Sequence, residues 1–229
     1  MSIKKKKSKN KIKQNIKLVF CTSKNSWIVK YLKEYILELK KKKFKASLIY
    51  NHKEIKKNNN LAFFLSYENL VEKKYLSLSH NNLVVHESDL PKNKGWSPIT
   101  WGVLKGKTQF TASLFEADEK IDSGKIYLKK KFIIGNNLLL NEIKLLQFKV
   151  TKYLISNFLK NYPKIILSGK NQSGKSNYLR RRTQRDSKID INKSIIRQFD
   201  HLRSLDKKRY PGWFIIRGRK FKILIDKFL

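Results

Sequence analysis

The sequence has few of the features that would indicate an extracellular or membrane-spanning protein. Its 229 residues include a single cysteine, Cys21, which excludes an internal disulfide framework and suits a reducing compartment. No apolar run approaches the roughly 20 residues that a membrane-spanning helix needs. The apolar run at 18–20 is also much shorter than the roughly 7–15 residues of a secretory signal. We therefore expect a cytoplasmic protein with no membrane partner and a disordered basic tail over residues 1–14.

Acidic residues are scarce, and arginine is missing from most of the chain. Lysine and arginine number 53 against 17 aspartates and glutamates, a formal net charge of +36. Such an excess suggests nucleic acid, because basic surfaces release counterions from phosphates. Residues 1–179, however, contain no arginine, and their lysine, asparagine and isoleucine are typical of A/T-rich coding sequence. We interpret much of the charge as solvated surface, and the arginines after residue 179 as either a phosphate-binding cluster or an ion-pair network.

Residues 164–176, KIILSGKNQSGKS, contain the G-x-x-x-x-G-K-S pattern of a nucleotide-binding phosphate loop. Such a loop must open an amphipathic helix, because the phosphate binds at the N-terminus of that helix. The residues after Ser176, NYLRRRTQRDSKID, carry no apolar helical stripe. We therefore interpret this stretch as part of a polar linker over residues 164–189.

Short apolar runs separated by turns predict an α/β fold. Apolar strands are predicted at 16–22, 45–50, 61–67 and 81–88, with a helix from Trp27 after the first. Strands that are apolar on both faces are typical of parallel sheets covered by helices. The first ninety residues therefore predict a Rossmann-like fold with a mostly parallel sheet.

The remaining residues complete a main domain over 15–163 and add a small C-terminal appendage over 190–229. The predicted elements of the main domain are a short helix at 99–106, strands at 109–117 and 124–134, and a helix at 138–159. The appendage is predicted to hold a helix near 191–205 and a β-hairpin whose turn is Arg217-Gly218.

A histidine and an aspartate follow two of the predicted strands. His86 ends the fourth strand, and Asp122 lies in the turn I-D-S-G after a later one. Chemistry in open α/β sheets gathers at the carboxyl ends of strands, where an imidazole can donate to an oxyanion and a carboxylate can orient it. Alternatively, His86 is a buried strand-end residue and Asp122 a turn former.

Two stretches resemble the folate-dependent formyltransferase family, which includes methionyl-tRNA, glycinamide ribonucleotide and amino-sugar N-formyltransferases. They are VVHESDLPKNKGWSPITWGVLKG and SLFEADEKIDSGKIY. The family pattern is N-x-H-x-S-x-L-P-x-x-x-G followed by a D-x-G turn. Its first part is matched by His86, Ser88, Leu90, Pro91 and Gly95, and its second by Asp122 and Gly124. The tail YLRRRTQRDSKIDINKSI is similar to the post-catalytic segment of the sugar-modifying members.

The resemblance implies transfer of a formyl group from N10-formyltetrahydrofolate to a primary amine, without a metal. His86 would stabilise the oxyanion and assist proton transfer, and Asp122 would orient His86 and help to accept the amine's proton. The folate would contact Ser88, Asp118 and Asp122. One family residue is missing, because Val84 replaces the asparagine that hydrogen-bonds the formyl oxygen. Asn82 could supply an amide in its place only if the strand bulges.

The expected substrate is a small amine, most plausibly on a nucleotide-linked amino sugar, and a homodimer is possible. Trp27 and Trp96 are candidates for stacking on a base or sugar, and Arg180, Arg181 and Arg182 for binding phosphate. Trp27 could equally be a core anchor. Two alternatives stay open: a basic nucleic-acid-binding protein that uses the arginines, and a catalytically degenerate domain on the same scaffold.

Overall fold

The computed structural model describes residues 16–228, so the tail predicted at 1–14 lies outside the described residues. The described residues form ten strands: β1 (Lys17–Cys21), β2 (Lys45–Ile49), β3 (Asn59–Phe64), β4 (Ser79–His86), β5 (Lys94–Gly95), β6 (Gln109–Glu116), β7 (Ile126–Ile133), β8 (Tyr178–Leu179), β9 (Gly212–Ile216) and β10 (Arg219–Ile223). Five α-helices lie among them: α1 (Val29–Lys41), α2 (Lys73–Leu76), α3 (Pro98–Val103), α4 (Leu140–Asn161) and α5 (Phe199–Arg203).

The main sheet has six strands in the order β2-β1-β3-β4-β6-β7. Strand β1 pairs in parallel with β2 and β3, and β3 pairs in parallel with β4. Parallel neighbours require crossover connections, which α1 and the 50–58 and 65–78 segments provide. The predicted α/β fold with a mostly parallel sheet is confirmed.

The chain divides into two compact units, each built from three stretches. The first unit comprises residues 16–86, 114–128 and 151–172 of the described chain, and the second comprises 87–113, 129–150 and 173–228. Strands β6 and β7 and helix α4 are therefore each divided between units. The domain boundaries predicted at 163 and 189 are not tested by this division and stay predictions.

The core of the first unit forms around the continuous apolar strands that the sequence predicts. Phe20 of β1 stacks on Phe63 of β3 with ring centroids 5.1 Å apart, and Tyr35 of α1 meets Phe20 edge-on. Helix α1 buries one face because its apolar residues recur every three or four positions. Its buried residues are Leu32, Tyr35, Ile36 and Leu39.

The second unit has its own apolar cluster and carries the hairpin. Ile99 and Val103 of α3 pack with Phe110, Ile134 and Ile143. The predicted hairpin is confirmed as the antiparallel pair β9 and β10, whose turn contains Gly218 with φ +76°. The helix expected near 191–205 is shorter, because a 3₁₀ turn at Ile196–Gln198 precedes α5.

The phosphate-loop pattern does not have the surroundings that nucleotide binding requires. Lys164–Ser168 forms a 3₁₀ turn where a parallel strand should precede the loop. The short strand Tyr178–Leu179 follows where the helix should begin. The stretch therefore lacks the strand and helix of a nucleotide-binding loop, and the linker over residues 164–189 stays a prediction. No helix within residues 16–228 is both long and apolar enough to cross a bilayer.

Candidate active site

The candidate site of the first unit is built at the end of β4. Val84 pairs with Phe64 in regular parallel register, and the strand ends at His86, which is 8% exposed. The predicted strand continued to residue 88, but the observed strand stops at the histidine. The imidazole is therefore presented by the last residue of a largely buried strand.

The two residues selected from the sequence come together. His86 Nε2 lies 3.8 Å from Asp122 Oδ2, and the two side chains are 10% and 13% exposed. This separation is too long for a hydrogen bond, and the two groups form an ion pair only when the imidazole is protonated. Catalytic contacts are often longer without substrate than in the reacting complex. The pair can therefore donate to an oxyanion and move a proton.

Asp122 is presented by an unusual turn. Its φ is +50°, in the left-handed region that an aspartate tolerates better than most non-glycine residues. Two residues later, Gly124 lies so close to the end of β6 that a Cβ atom would sit 1.9 Å from the Glu116 carbonyl oxygen. The D-x-G spacing thus combines a left-handed carboxylate with a backbone contact that requires glycine.

A glutamine from the predicted linker contacts this turn. Gln172 Nε2 donates to the carbonyl oxygens of Asp122 and Gly124 at 2.9 and 3.0 Å. Sequence reasoning missed this residue, because a glutamine in a polar stretch some 50 positions away carries no recognisable signal.

A half-buried carboxylate, that of Glu116, ties the start of β4 to the same turn. Glu116 accepts hydrogen bonds from the backbone N–H of Asn82 at 2.6 Å, from Asn81 Nδ2 at 3.1 Å and from the Tyr127 hydroxyl at 2.8 Å. Burial raises the pKa of Glu116, although these three donors oppose the shift. The network holds together the end of β6 and the start of β7, and the turn 117–125 lies between them.

The position of the missing asparagine is apolar. Val84 is half-buried and packs against the cluster that includes Val19, Cys21 and Phe64. Asn82 does not take its place, because the strand does not bulge between residues 81 and 84. The Asn82 Nδ2 atom instead donates to the Leu76 carbonyl oxygen at 2.8 Å.

The other predicted folate contacts lie in different units. Asp118 is an exposed residue of the first unit, and its Oδ1 accepts the backbone N–H of Glu119 at 2.7 Å. Ser88 belongs to the second unit, is 4% exposed and accepts a hydrogen bond from Ser113 at its carbonyl oxygen. Its buried hydroxyl has no hydrogen-bond partner among the described residues.

The tryptophans and Arg181 lie in two separate settings. Trp27 is half-buried in the first unit and meets Tyr31 edge-on, with centroids 6.1 Å apart, so both its substrate-binding role and its alternative role as a core anchor stay predictions. In the second unit, the exposed Arg181 stacks its guanidinium 4.5 Å from the centre of the Trp96 ring.

The neighbouring arginines make internal contacts. Arg180 forms a bidentate ion pair with Asp186 and holds the pKa of that carboxyl well below its usual range. Arg182 is 5% exposed, lies 5.1 Å from the Tyr210 ring and donates to Ser204 and Ser187. These contacts favour the ion-pair interpretation for Arg180 and a structural role for Arg182.

Within residues 16–228, no group of three or more histidine, cysteine, aspartate or glutamate side chains is placed to hold a metal ion.

Comparisons with known proteins agree with these features. A family model described as formyl transferase matches residues 2–145. The methionyl-tRNA formyltransferase of Thermosipho melanesiensis is 28% identical over 144 residues, which are 63% of this chain and 46% of that protein. The chain thus spans about half the length of the curated relatives it matches.

Solved structures share the fold. A methionyl-tRNA formyltransferase from Clostridium thermocellum superposes with a TM-score of 0.73 at 20% identity, over 93% of this chain and 94% of that one. A sugar N-formyltransferase from a Shewanella species gives a TM-score of 0.66 at 16% identity, over 93% and 98%. Because the family model covers more than half of the sequence, the chain belongs to the formyl transferase family.

Proposed function

We propose that this protein transfers a formyl group from N10-formyltetrahydrofolate to a primary amine. The observation that carries this proposal is the approach of His86 and Asp122 to 3.8 Å within the two matched family motifs. A chance pairing of a strand-end histidine with a turn aspartate would not require the left-handed aspartate and the close glycine that this turn has.

The two side chains have complementary roles in this proposal. The His86 imidazole donates to the oxygen on which negative charge develops, and it assists proton transfer. Asp122 orients the imidazole and helps to accept the proton that the amine loses. The low exposure of both groups strengthens these interactions, because little water competes for them.

The turn that carries Asp122 suits the donor. When bound, N10-formyltetrahydrofolate supplies the activated formyl group, and its pterin ring presents several N–H donors. The residues 118–122 offer carboxylate and carbonyl acceptors, together with the exposed apolar side chain of Ile121. We therefore propose Asp118 and Asp122 as donor-binding residues, with Ser88 as a further candidate.

We further propose that the amine belongs to a nucleotide-linked amino sugar. The structural likeness to a sugar N-formyltransferase supports this choice, as does the resemblance of the arginine-rich tail to sugar-modifying members. Arg181 is the candidate for contacting a phosphate or stacking on a ring, because it is exposed and lies 4.5 Å from the centre of the Trp96 ring.

A second candidate substrate is an amine carried by tRNA. The names of the curated relatives favour it, since the Thermosipho enzyme is a methionyl-tRNA formyltransferase. The excess of lysine over acidic residues would also favour attraction to an RNA backbone.

The proposal is tested by two measurements on the intact chain. Thermal unfolding is followed with 5-formyltetrahydrofolate, a stable isomer of the donor. Ligand at about one hundred times its Kd should add about 2.7 kcal/mol to the free energy of unfolding. Release of tetrahydrofolate from the donor is then measured with nucleotide-linked amino sugars and with methionyl-tRNA.

The outcomes separate the candidates. Stabilisation and turnover with an amino sugar alone would support the proposed substrate, whereas turnover with methionyl-tRNA alone would replace it. Absence of both stabilisation and turnover would contradict formyl transfer. Salt-sensitive RNA binding in that case would favour the alternative of a nucleic-acid-binding protein on this scaffold.

A further inference from the structure

Gln172 holds the turn that carries Asp122 through both N–H groups of its side chain. Its Nε2 donates to the Asp122 carbonyl oxygen at 2.9 Å and to the Gly124 carbonyl oxygen at 3.0 Å. A primary amide has two N–H donors, so each carbonyl receives one. The opposite amide orientation would place Oε1 against two carbonyl oxygens, so the contacts fix which way the side chain points.

The main chain places Gln172 opposite this turn. Lys170 and Ile126 exchange two backbone hydrogen bonds, of 2.8 and 2.9 Å, in an antiparallel bridge. In an antiparallel arrangement, two residues forward on one segment lie opposite two residues back on the other. Gln172 therefore lies opposite Gly124, and its position follows from backbone pairing.

The turn needs this support. Asp122 has a φ of +50°, which costs a non-glycine residue some strain even though aspartate tolerates it better than most, so contacts from its surroundings help to keep it there. The contact of Gly124 with the Glu116 carbonyl oxygen fixes the far end of the turn. The hydrogen bond from Gln172 to the Asp122 carbonyl holds the end that carries the carboxylate.

We propose that Gln172 is a positioning residue for Asp122, holding the turn so that the carboxylate stays beside the His86 imidazole. The proposal rests on the proposed function in one respect, that Asp122 orients His86 during turnover. It assigns a specific role to a segment that the sequence predicts only as a linker.

The kinetic test compares Gln172→Ala with a matched control. Gln198 also donates to two carbonyl oxygens, those of Asp190 and Lys193 at 3.0 and 2.8 Å, in the second unit. Gln172→Ala should lower kcat roughly tenfold to a hundredfold, because small displacements of catalytic groups have effects of this size. Gln198→Ala should leave kcat unchanged.

A double-variant cycle separates positioning from a general loss of stability. If Gln172 acts through Asp122, adding Gln172→Ala to Asp122→Asn should lower kcat no further. Gln172→Met, which keeps the size of the side chain but has no donors, should behave like Gln172→Ala. A further fall in the double variant, equal to that in the single variant, would overturn the proposal.

A measurement without turnover tests the same contact. The ¹⁵N chemical shifts of the His86 imidazole report the position of the neighbouring carboxylate. In Gln172→Ala they should move in the same direction as in Asp122→Asn. Unchanged shifts in Gln172→Ala and Gln172→Met, with a clear change in Asp122→Asn, would refute the positioning role. Because this readout needs no formyl donor, it holds even if the wild-type protein transfers no formyl group.

Discussion

Restoring the missing asparagine provides a sharp test of the catalytic assignment. Val84→Asn places an amide two residues before His86, on the same face of β4. Asn82, the nearest amide that could replace the missing one, does not reach this position, because β4 is regular and Asn82 Nδ2 donates to the Leu76 carbonyl oxygen. We therefore expect the natural site to lack one oxyanion donor, and the variant to gain it.

The expected magnitudes follow from the surroundings of Val84. One preorganised oxyanion donor changes kcat by about 10²–10³ in enzymes where it has been removed, so an imperfect added donor should raise kcat at least about tenfold. The side chain is half-buried in an apolar cluster. Replacing it by an amide should lower the free energy of unfolding by about 1–2 kcal/mol.

The assay is release of tetrahydrofolate with the best acceptor amine, together with thermal unfolding. Val84→Ala is the control, because it removes the apolar contacts of Val84 without adding a donor. If Val84→Asn is folded but no faster than Val84→Ala, the reasoning is refuted, and another group already stabilises the oxyanion.

Three further predictions concern the same chain. His86→Ala and Asp122→Asn should each lower kcat at least about a hundredfold, and the double variant should be little worse, because residues that act as a unit are not additive. Gly124→Ala should lower the free energy of unfolding by about 1–3 kcal/mol in denaturant titrations, since its Cβ would collide with the Glu116 carbonyl oxygen; an unchanged midpoint would contradict that close approach. Because the pKa of Asp186 is depressed in the folded protein, its ionised carboxylate stabilises the fold above the unfolded pKa of about 3.9. This stabilisation is lost as pH falls through the lower folded pKa. Asp186→Asn should therefore flatten the pH dependence of unfolding below about pH 4, and an acid limb as steep as that of the wild type would count against the ion pair.

The parts of the fold that could be predicted are those set by short-range patterns. Continuous apolar runs gave the parallel strands, and the Arg217-Gly218 pair gave the hairpin turn. The approach of His86 to Asp122 matches the pair that the two family motifs imply. The strand-end rule alone does not explain it, because the end of β6 meets Asn82 near the start of β4.

The supporting contacts could not be predicted, because they join distant residues of ordinary type. Glu116 meets Asn81 and Asn82 across some 35 positions, and Gln172 meets Asp122 across 50. Neither glutamate nor glutamine is distinctive by itself, and each contact depends on how strands and loops pair in three dimensions. In the sequence, a glutamine that holds a turn of the candidate site, such as Gln172, cannot be told apart from an ordinary glutamine of a polar linker.

The lysines and the arginines of this chain carry the same charge in different surroundings. Lysine dominates the sequence before residue 180 and is largely a surface charge. Arg182, in contrast, is buried in the second unit, and the exposed Arg180 is paired with Asp186. A guanidinium committed to a carboxylate or buried among carbonyl and hydroxyl oxygens has few donors left for phosphate. Any binding of RNA by this chain must therefore depend mainly on lysines and on exposed arginines such as Arg181. Its affinity should fall steeply with salt, whereas the contacts of the buried Arg182 should persist, since buried groups are screened much less.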